Sequence, residues 1–280
     1  MKIDAHQHYW QPARGDYEWM PKDDPTLSRT YGPADLSATL DRAGIERTVL
    51  VQAAATVEET EYMLGLADAT ETIGAVVGWV DFEAADVADT LARLAGHPTF
   101  SGVRPMIQDI PDDDWMLRDD VQAGFRAVND LGVTFDALGF PRHLKNFLTI
   151  LTRYPDMRVV IDHCMKPDIA NHTSESFQVW ADGMSAIARE TGAYCKLSGL
   201  MTEAGAEWTV DDLKPYAHHV LDVFGSDRVM WGSDWPVCRL SGEYERWLAA
   251  AQTLTEDLDA PARARVFGES AAEFYRISGD

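Results

Sequence analysis

Two histidines stand two residues apart in the opening segment Lys2-Ile3-Asp4-Ala5-His6-Gln7-His8. In an extended strand that spacing sends both imidazoles to one face, where they can reach one metal ion or one substrate. His163 closes the β-rich apolar run Val159-Val160-Ile161-Asp162-His163, and Asp234 closes Val229-Met230-Trp231-Gly232-Ser233-Asp234. In the first run Val159, Ile161 and His163 alternate to one face while Asp162 takes the other. In the second, Gly232 shares the phase of Asp234 and leaves little bulk beneath its carboxylate. A carboxylate at the end of a buried strand is costly unless a metal, a histidine or a water to deprotonate lies beside it. Two histidines, a third histidine and such a carboxylate are together the makings of a hydrolytic site.

Elements must bring these residues together. Eight runs read as strands: 2–8, 47–53, 75–81, 100–107, 134–139, 158–164, 193–199 and 228–235. Segments with helical periodicity separate them, at 34–43, 56–70, 84–95, 119–131, 141–154, 176–191 and 210–224. Strands alternating with helices imply a parallel sheet, and eight units suit a closed (β/α)8 barrel of the TIM type spanning 1–280 as one domain. The competing arrangement is an open doubly wound sheet, but no Gly-x-Gly-x-x-Gly follows the first strand, which removes its usual dinucleotide-binding form. Residues 243–258 and 261–275 read as two closing helices, with Pro261 placed in a first turn. The irregular stretch 9–33 follows the first strand and carries Trp10, Tyr17 and Trp19. It belongs at the C-terminal mouth of a barrel, where aromatic rings can close over a ligand.

Composition narrows the partners. With 24 Lys+Arg against 46 Asp+Glu, the formal charge is −22, and no basic run interrupts it. Such a surface repels nucleic acid and anionic lipid. No apolar stretch approaches the length of a bilayer span and no secretory h-region opens the chain, so a cytoplasmic location is expected. Three cysteines without a Cys-x-x-Cys pair argue for free thiols rather than a disulfide scaffold or zinc knuckle. The oligomeric state, monomer or homo-oligomer, is left open.

The ordered set of His6-x-His8 after a first strand, His163 after a sixth and Asp234 after an eighth resembles the amidohydrolase superfamily. More narrowly, IDAHQHYW, VVGWVDF, GVRPMIQDIPDDDW, FPRHL, DHCMKP, CKLSGLMTEA and VMWGSDWPVC resemble its sugar-lactonase branch, whose members open L-fucono- and L-rhamnonolactones. The resemblance runs from residue 2 to about residue 276 and implies a distorted (β/α)8 barrel. Binuclear members of the superfamily carry a carboxylated lysine or glutamate on the fourth strand and a histidine on the fifth. Here those strands carry Arg104 and Asp136, which argues against a bridged two-metal centre. His6, His8, His163 and Asp234 could hold one divalent ion, zinc by ligand type, or the site could work without metal, as the related pyrone dicarboxylate lactonases are thought to.

Lactone opening requires a nucleophilic water, a base, an electrophile for the carbonyl oxygen and an acid for the leaving alkoxide. Asp234 is the expected base. His163 and the other histidines, with or without zinc, are expected to polarise the carbonyl, and Arg104 offers a permanent charge to the oxyanion, unless it serves as a structural ion-pair partner. Trp79 and Asp81, in phase at the end of the third strand, are expected to bind substrate, as are Arg142, His143, Lys166 and Trp235. Lys196 and Ser198 share a face of the seventh strand, where a buried lysine needs a carboxylate such as Asp162 or Asp234. The acidic run Asp112-Asp113-Asp114 reads as a solvated turn. The expected activity is hydrolysis of an aldonolactone to the aldonic acid. The alternatives are hydrolysis or isomerisation of a muconolactone, pyrone or galactarolactone, and a non-catalytic barrel that binds a sugar acid.

Overall fold

The computed structural model describes residues 1–279, and in it eight short strands follow one another around a parallel sheet in strict sequence order. They are β1 (Ile3–Gln7), β2 (Arg47–Val51), β3 (Ile73–Gly78), β4 (Phe100–Val103), β5 (Thr134–Ala137), β6 (Arg158–Ile161), β7 (Tyr194–Leu197) and β8 (Val229–Trp231). Just beyond β8, Asp234 N–H donates to His6 O at 2.8 Å and His8 N–H donates to Trp235 O at 2.7 Å. The last strand is thereby joined to the first, which makes the sheet a (β/α)8 barrel. All eight strands lie within the runs read from sequence except β3, which begins two residues earlier. Most end sooner than those runs, because the last residues of each leave the ladder to carry side chains into the mouth.

Alternation along each strand separates two apolar compartments. Leu50, Val76, Val103, Phe135, Val159, Ile161 and Trp231 pack outward with the surrounding helices. Ile3, Ala5, Val49, Val51, Ala75, Val77, Val160 and Met230 fill the barrel, and Phe274, Tyr275 and Ile277 close its lower end. Above that apolar layer the interior turns polar: His6, Arg104, Asp136, Asp162, Lys196 and Ser198 are all buried.

The helices begin where capping chemistry allows. Thr56, Thr173 and Thr209 each accept a backbone N–H from the third residue of the helix that follows. After the helix Tyr244–Leu254, Asp259 caps Ala260–Ala264, which carries Pro261 in its first turn and continues through a π turn into Ser270–Tyr275. Segment 9–33 folds back on itself, with Trp10 paired to Tyr31 and the Trp10 indole N–H donating to the carbonyls of Leu27 and Arg29. Among the described residues, no helix is long and apolar enough to cross a membrane. The three cysteines are buried and unpaired.

Candidate active site

His6 and His8 both face the barrel interior. A β-bulge between Asp4 and Gln7 adds a residue to β1 opposite β2, so that His6 turns inward directly after Ala5. His8 Nδ1–H donates to Val51 O at 2.7 Å, which leaves Nε2 aimed into the mouth. His8 Nε2 lies 3.3 Å, His6 Nε2 3.7 Å and His163 Nε2 3.9 Å from Asp234 Oδ1. Three imidazole nitrogens thus surround one carboxylate oxygen.

His163 reaches this cluster by a route that strand alternation does not foresee. Val159 and Ile161 point outward, so a strand continued through residue 163 would have sent His163 among the helices and Asp162 inward. β6 instead ends at Ile161, Asp162 stays inward, and four successive residues adopt left-handed backbone: His163 (φ 52°), Cys164 (51°), Met165 (60°) and Lys166 (48°). Such conformations are costly for residues with a Cβ and persist only where the surroundings hold them. The indole N–H of Trp180 donates to Cys164 O at 2.7 Å, Cys164 Sγ–H donates to Lys196 O, and His163 Nδ1 meets Ser198 Oγ at 2.8 Å. The turn swings the imidazole back over the barrel. The expectation that Asp162 lies on the opposite face from His163 is therefore corrected: both enter the site, at different depths.

Asp234 also has left-handed backbone, at φ 57°, and Gly232 beneath it is needed for room. A Cβ on Gly232 would stand 2.7 Å from His6 Cβ and 3.0 Å from His6 N. Gly232→Ala is expected to cost about 1–3 kcal/mol by overpacking and to lower kcat by displacing His6. Thermal unfolding together with steady-state kinetics checks both effects.

Below the histidines, Lys196 Nζ lies 2.5 Å from Asp136 Oδ2, 3.1 Å from Asp162 Oδ1 and 3.1 Å from His6 Nδ1. The lysine therefore has the carboxylate partners it requires, Asp162 as expected and Asp136 in place of Asp234. Tyr275 O–H donates to Asp136 Oδ2 at 2.8 Å, tying the C-terminal helix to this layer. Arg104 donates to Gln52 Oε1 through Nε at 3.1 Å and Nη2 at 2.9 Å, to Gln52 O through Nη2, and to Asp162 Oδ2 through Nη1 at 3.2 Å. Its Nη1 also lies 3.3 Å from His6 Nε2. Most of its donors are thus held by the protein, and what Arg104 offers the mouth is its charge and Nη1.

These neighbours set the charge states. Burial, reinforced by Lys196 against the opposing pull of Asp162, holds the His6 imidazole well below the usual histidine range. Burial likewise lowers His163 to about 4, against Asp234 and Asp162. For Asp234 burial works the other way, but His163, His8 and His6 outweigh it and keep the carboxyl below the usual range. Asp162 is also held low, because Lys196, His6 and Arg104 outweigh its burial. Burial, with the charge of Asp162, pushes Asp136 up to about 6.

A cavity of about 290 Å³ opens above the cluster, lined by His8, Arg104, His163, Lys166 and Asp234 together with Trp10, Trp19, Met106, Gln108 and Leu138. Lys166 Nζ donates to Gln108 Oε1 at 2.8 Å. The indole N–H of Trp19 donates to Ala53 O at 2.5 Å, which fixes the ring over the mouth. The remaining sequence candidates lie elsewhere. Trp79 and Asp81 line a neighbouring cavity that shares Met106 with this one. Arg142 and His143 both engage Asp113 Oδ1, at 2.7 and 3.1 Å, and so pin the acidic turn to the barrel rim. Trp235 packs edge-on against Tyr9 and Tyr31. Gln52, Gln108 and Met106 were not anticipated, because an amide or thioether in a loop carries no spacing signal.

The sequence profile of the amidohydrolase family matches residues 3–277. The chain belongs to the amidohydrolase family. Among its amidohydrolase relatives is an L-fucono-1,5-lactonase of Burkholderia ambifaria, 46% identical over an alignment that covers 100% of this chain and 98% of the relative. Another L-fucono-1,5-lactonase, from Burkholderia multivorans, is 32% identical, with 99% and 96% of the two chains covered. An amidohydrolase from Burkholderia multivorans, solved with bound zinc, superposes with a TM-score of 0.93 at 31% identity, covering 99% of this chain and 100% of that one.

The donors of this amidohydrolase fit one divalent ion. One donor atom from each of His6, His163 and Asp234 lies within 4.8 Å of the others. His8 Nε2 stands 3.2 Å from His6 Nε2 and 3.3 Å from Asp234 Oδ1. Tetrahedral zinc with bonds of about 2.0–2.1 Å has ligand–ligand edges of about 3.3 Å. Moreover, with His8 Nδ1–H committed to Val51 O, Nε2 is the nitrogen that faces Asp234 Oδ1, and a cation or a proton can sit between them.

Proposed function

We propose that this amidohydrolase hydrolyses a sugar-derived aldonolactone, of the L-fucono or L-rhamnono type, to the aldonic acid. The observation that carries the reading is the ring of three imidazole Nε2 atoms around Asp234 Oδ1 at the floor of an open cavity. It is supported by the similarity to proteins named L-fucono-1,5-lactonase. Asp234, held ionised, orients a water against the lactone carbonyl carbon and takes its proton as the tetrahedral centre forms. Arg104 Nη1 and the His6 edge stand beside the position of the developing oxyanion. As the C–O bond breaks, the proton that Asp234 took from the water passes to the departing ring oxygen, which restores the carboxylate, and neutral His163, backed by Ser198 and 3.9 Å from Asp234 Oδ1, is placed to hydrogen-bond that oxygen. The indoles of Trp10 and Trp19 offer apolar faces to the C–H side of the sugar ring, while Gln108 and Lys166 offer donors to its hydroxyls and to the product carboxylate. His6, His8, His163 and Asp234 would hold a divalent ion, zinc by donor type, and when bound it would supply Lewis-acid polarisation of the carbonyl.

The test is acid release, followed with a pH indicator, from a panel of L- and D-aldono-1,4- and 1,5-lactones. Turnover of the L-fucono or L-rhamnono compounds is expected. No acid release from any sugar lactone, by chelated or zinc-supplemented enzyme, rejects the proposal. Comparing those two preparations also separates the electrophiles. Activity that survives chelation leaves the carbonyl to Arg104 and the histidines, whereas activity lost and then restored by zinc assigns it to the ion.

A further inference from the structure

Glu59 takes no part in the hydrolytic steps, yet it is fully buried near the start of the helix Val57–Ala69, in the third position after the Thr56 cap. A carboxyl at that position commonly reaches back to the N–H of the cap residue. This one reaches further, for Glu59 Oε2 accepts the backbone N–H groups of Ala53 and Ala54, at 2.9 and 2.6 Å. Gln52 N–H still donates to Val77 O of β3, whereas the next two N–H groups have left the ladder. Both residues are buried, so without Glu59 those donors would lack acceptors.

The loop held in this way carries two parts of the site. At its start, Gln52 cradles the Arg104 guanidinium with Oε1 and its carbonyl, while its own amide donates to Ala54 O at 3.2 Å. In its middle, Ala53 O accepts the Trp19 indole N–H at 2.5 Å. Arg104 and Trp19 both line the cavity above the histidines. The far end of the loop is fastened to the mouth segment as well, since Thr56 Oγ1–H donates to Asp16 Oδ2 at 3.1 Å and Arg14 Nη2 donates to the same oxygen at 2.7 Å.

We propose that Glu59 is a positioning residue for the active site: by clamping the N–H groups of Ala53 and Ala54, it sets both the Gln52 cradle of Arg104 and the Ala53 carbonyl that holds Trp19. The roles of Arg104 and Trp19 rest on the proposed lactonase reading, but the clamp itself does not. What the loop requires is an accepting oxygen rather than a negative charge. Burial pushes Glu59 up to about 7, against the Ala54 and Ala53 N–H groups and the Tyr17 hydroxyl, which favour its charged form. A carboxamide oxygen also has two lone pairs to offer, and its N–H2 can donate to a phenol oxygen. Glu59→Gln therefore keeps the clamp, whereas Glu59→Ala removes it and leaves two buried donors unpaired.

The test reads Trp19 and the reaction separately in the full-length enzyme. Fluorine spectra of protein labelled with 5-fluorotryptophan, with the Trp19 signal assigned by its loss in Trp19→Phe, report the ring, and steady-state kinetics on the lactone that the panel identifies report the rest. In Glu59→Ala the Trp19 signal is expected to shift while the other indoles stay, apart from Trp10, which packs edge-on against Trp19. As Arg104 moves, kcat is expected to fall on the order of 10–10²-fold, and KM to rise severalfold as the wall loosens. Glu59→Gln is expected to return the spectrum and both constants most of the way to wild type. An unmoved Trp19 signal or an unchanged kcat in folded Glu59→Ala is what a purely structural helix cap would give, and either overturns the proposal, as does a Glu59→Gln enzyme as impaired as Glu59→Ala. If Glu59→Ala does not fold, Glu59→Asp, whose carboxylate is one methylene short of the loop, is read in its place with the same expectations. If no lactone is turned over, the substrate assignment fails while the fluorine spectra still decide whether Glu59 holds Trp19.

Discussion

Asp234→Asn is expected to lower kcat for lactone hydrolysis by about 10²–10⁴-fold, the range associated with losing a positioned general base. The substitution is conservative in every other respect. Asparagine tolerates the left-handed backbone that Asp234 adopts at φ 57°, and the backbone N–H that donates to His6 O is retained. Trp10, Trp19, Gln108 and Lys166 are untouched, so KM is expected to change far less than kcat, and the aldonic acid product should still bind. Steady-state kinetics with product inhibition measures both. Full turnover by the variant would remove Asp234 from the role of base, and a change confined to KM would make it a binding group.

The largest effect on stability is expected at Lys196. Lys196→Met replaces the ammonium by an apolar group of similar length and takes the ion-pair partner from Asp136, left with the Tyr275 hydroxyl, and from Asp162, left with Arg104, both carboxylates being fully buried. Breaking a buried ion pair from one side costs about 3–5 kcal/mol, because the remaining charges stay in a medium that cannot solvate them. The deficit has a definite pH dependence. In the wild type, Asp162 is held well below the ordinary aspartate value, with Lys196 the largest of the groups that lower it. A depressed folded-state value contributes stability above the unfolded value near 3.8, and that contribution fades as pH falls through the folded one. Without Lys196 both carboxyls should titrate higher and protonate on mild acidification, so the gap between variant and wild type is expected to be widest at neutral pH and to narrow towards pH 5. Denaturant unfolding at the two pH values checks the sign. A constant gap would show that the loss is one of packing alone.

Legibility in the sequence followed the physics of each feature. The barrel could be read because alternation and helical periodicity are local properties, and each β/α unit announces itself within about 25–45 residues. His6, His8, His163, Asp234 and Arg104 could be singled out because polar residues at strand ends need a reason to be there. His163 does not share the face of Val159 and Ile161, because alternation holds only while the chain remains a strand, and here β6 ends at Ile161 and gives way to a left-handed turn braced by Trp180. Trp79, Asp81, Arg142, His143 and Trp235 also stand at strand ends or just beyond them, yet they face a neighbouring cavity, an acidic turn or an aromatic cluster. Residue type and strand position say that a side chain is near the mouth, but not which way the following loop turns it.

Gln52 shows the same limit from the other side. Nothing about an isolated glutamine marks it, but its amide and carbonyl together hold most of the Arg104 guanidinium. The sequence by itself determined the strand and helix order, the closed barrel and the residues able to do hydrolytic chemistry, since these follow from periodicity and side-chain type. The tertiary structure alone decided that Lys196 sits between two aspartates and beneath His6, and that three imidazoles meet at one carboxylate oxygen. Those contacts join residues as far apart as His8 and Asp234, and their distances depend on how separate strands are packed rather than on any local pattern.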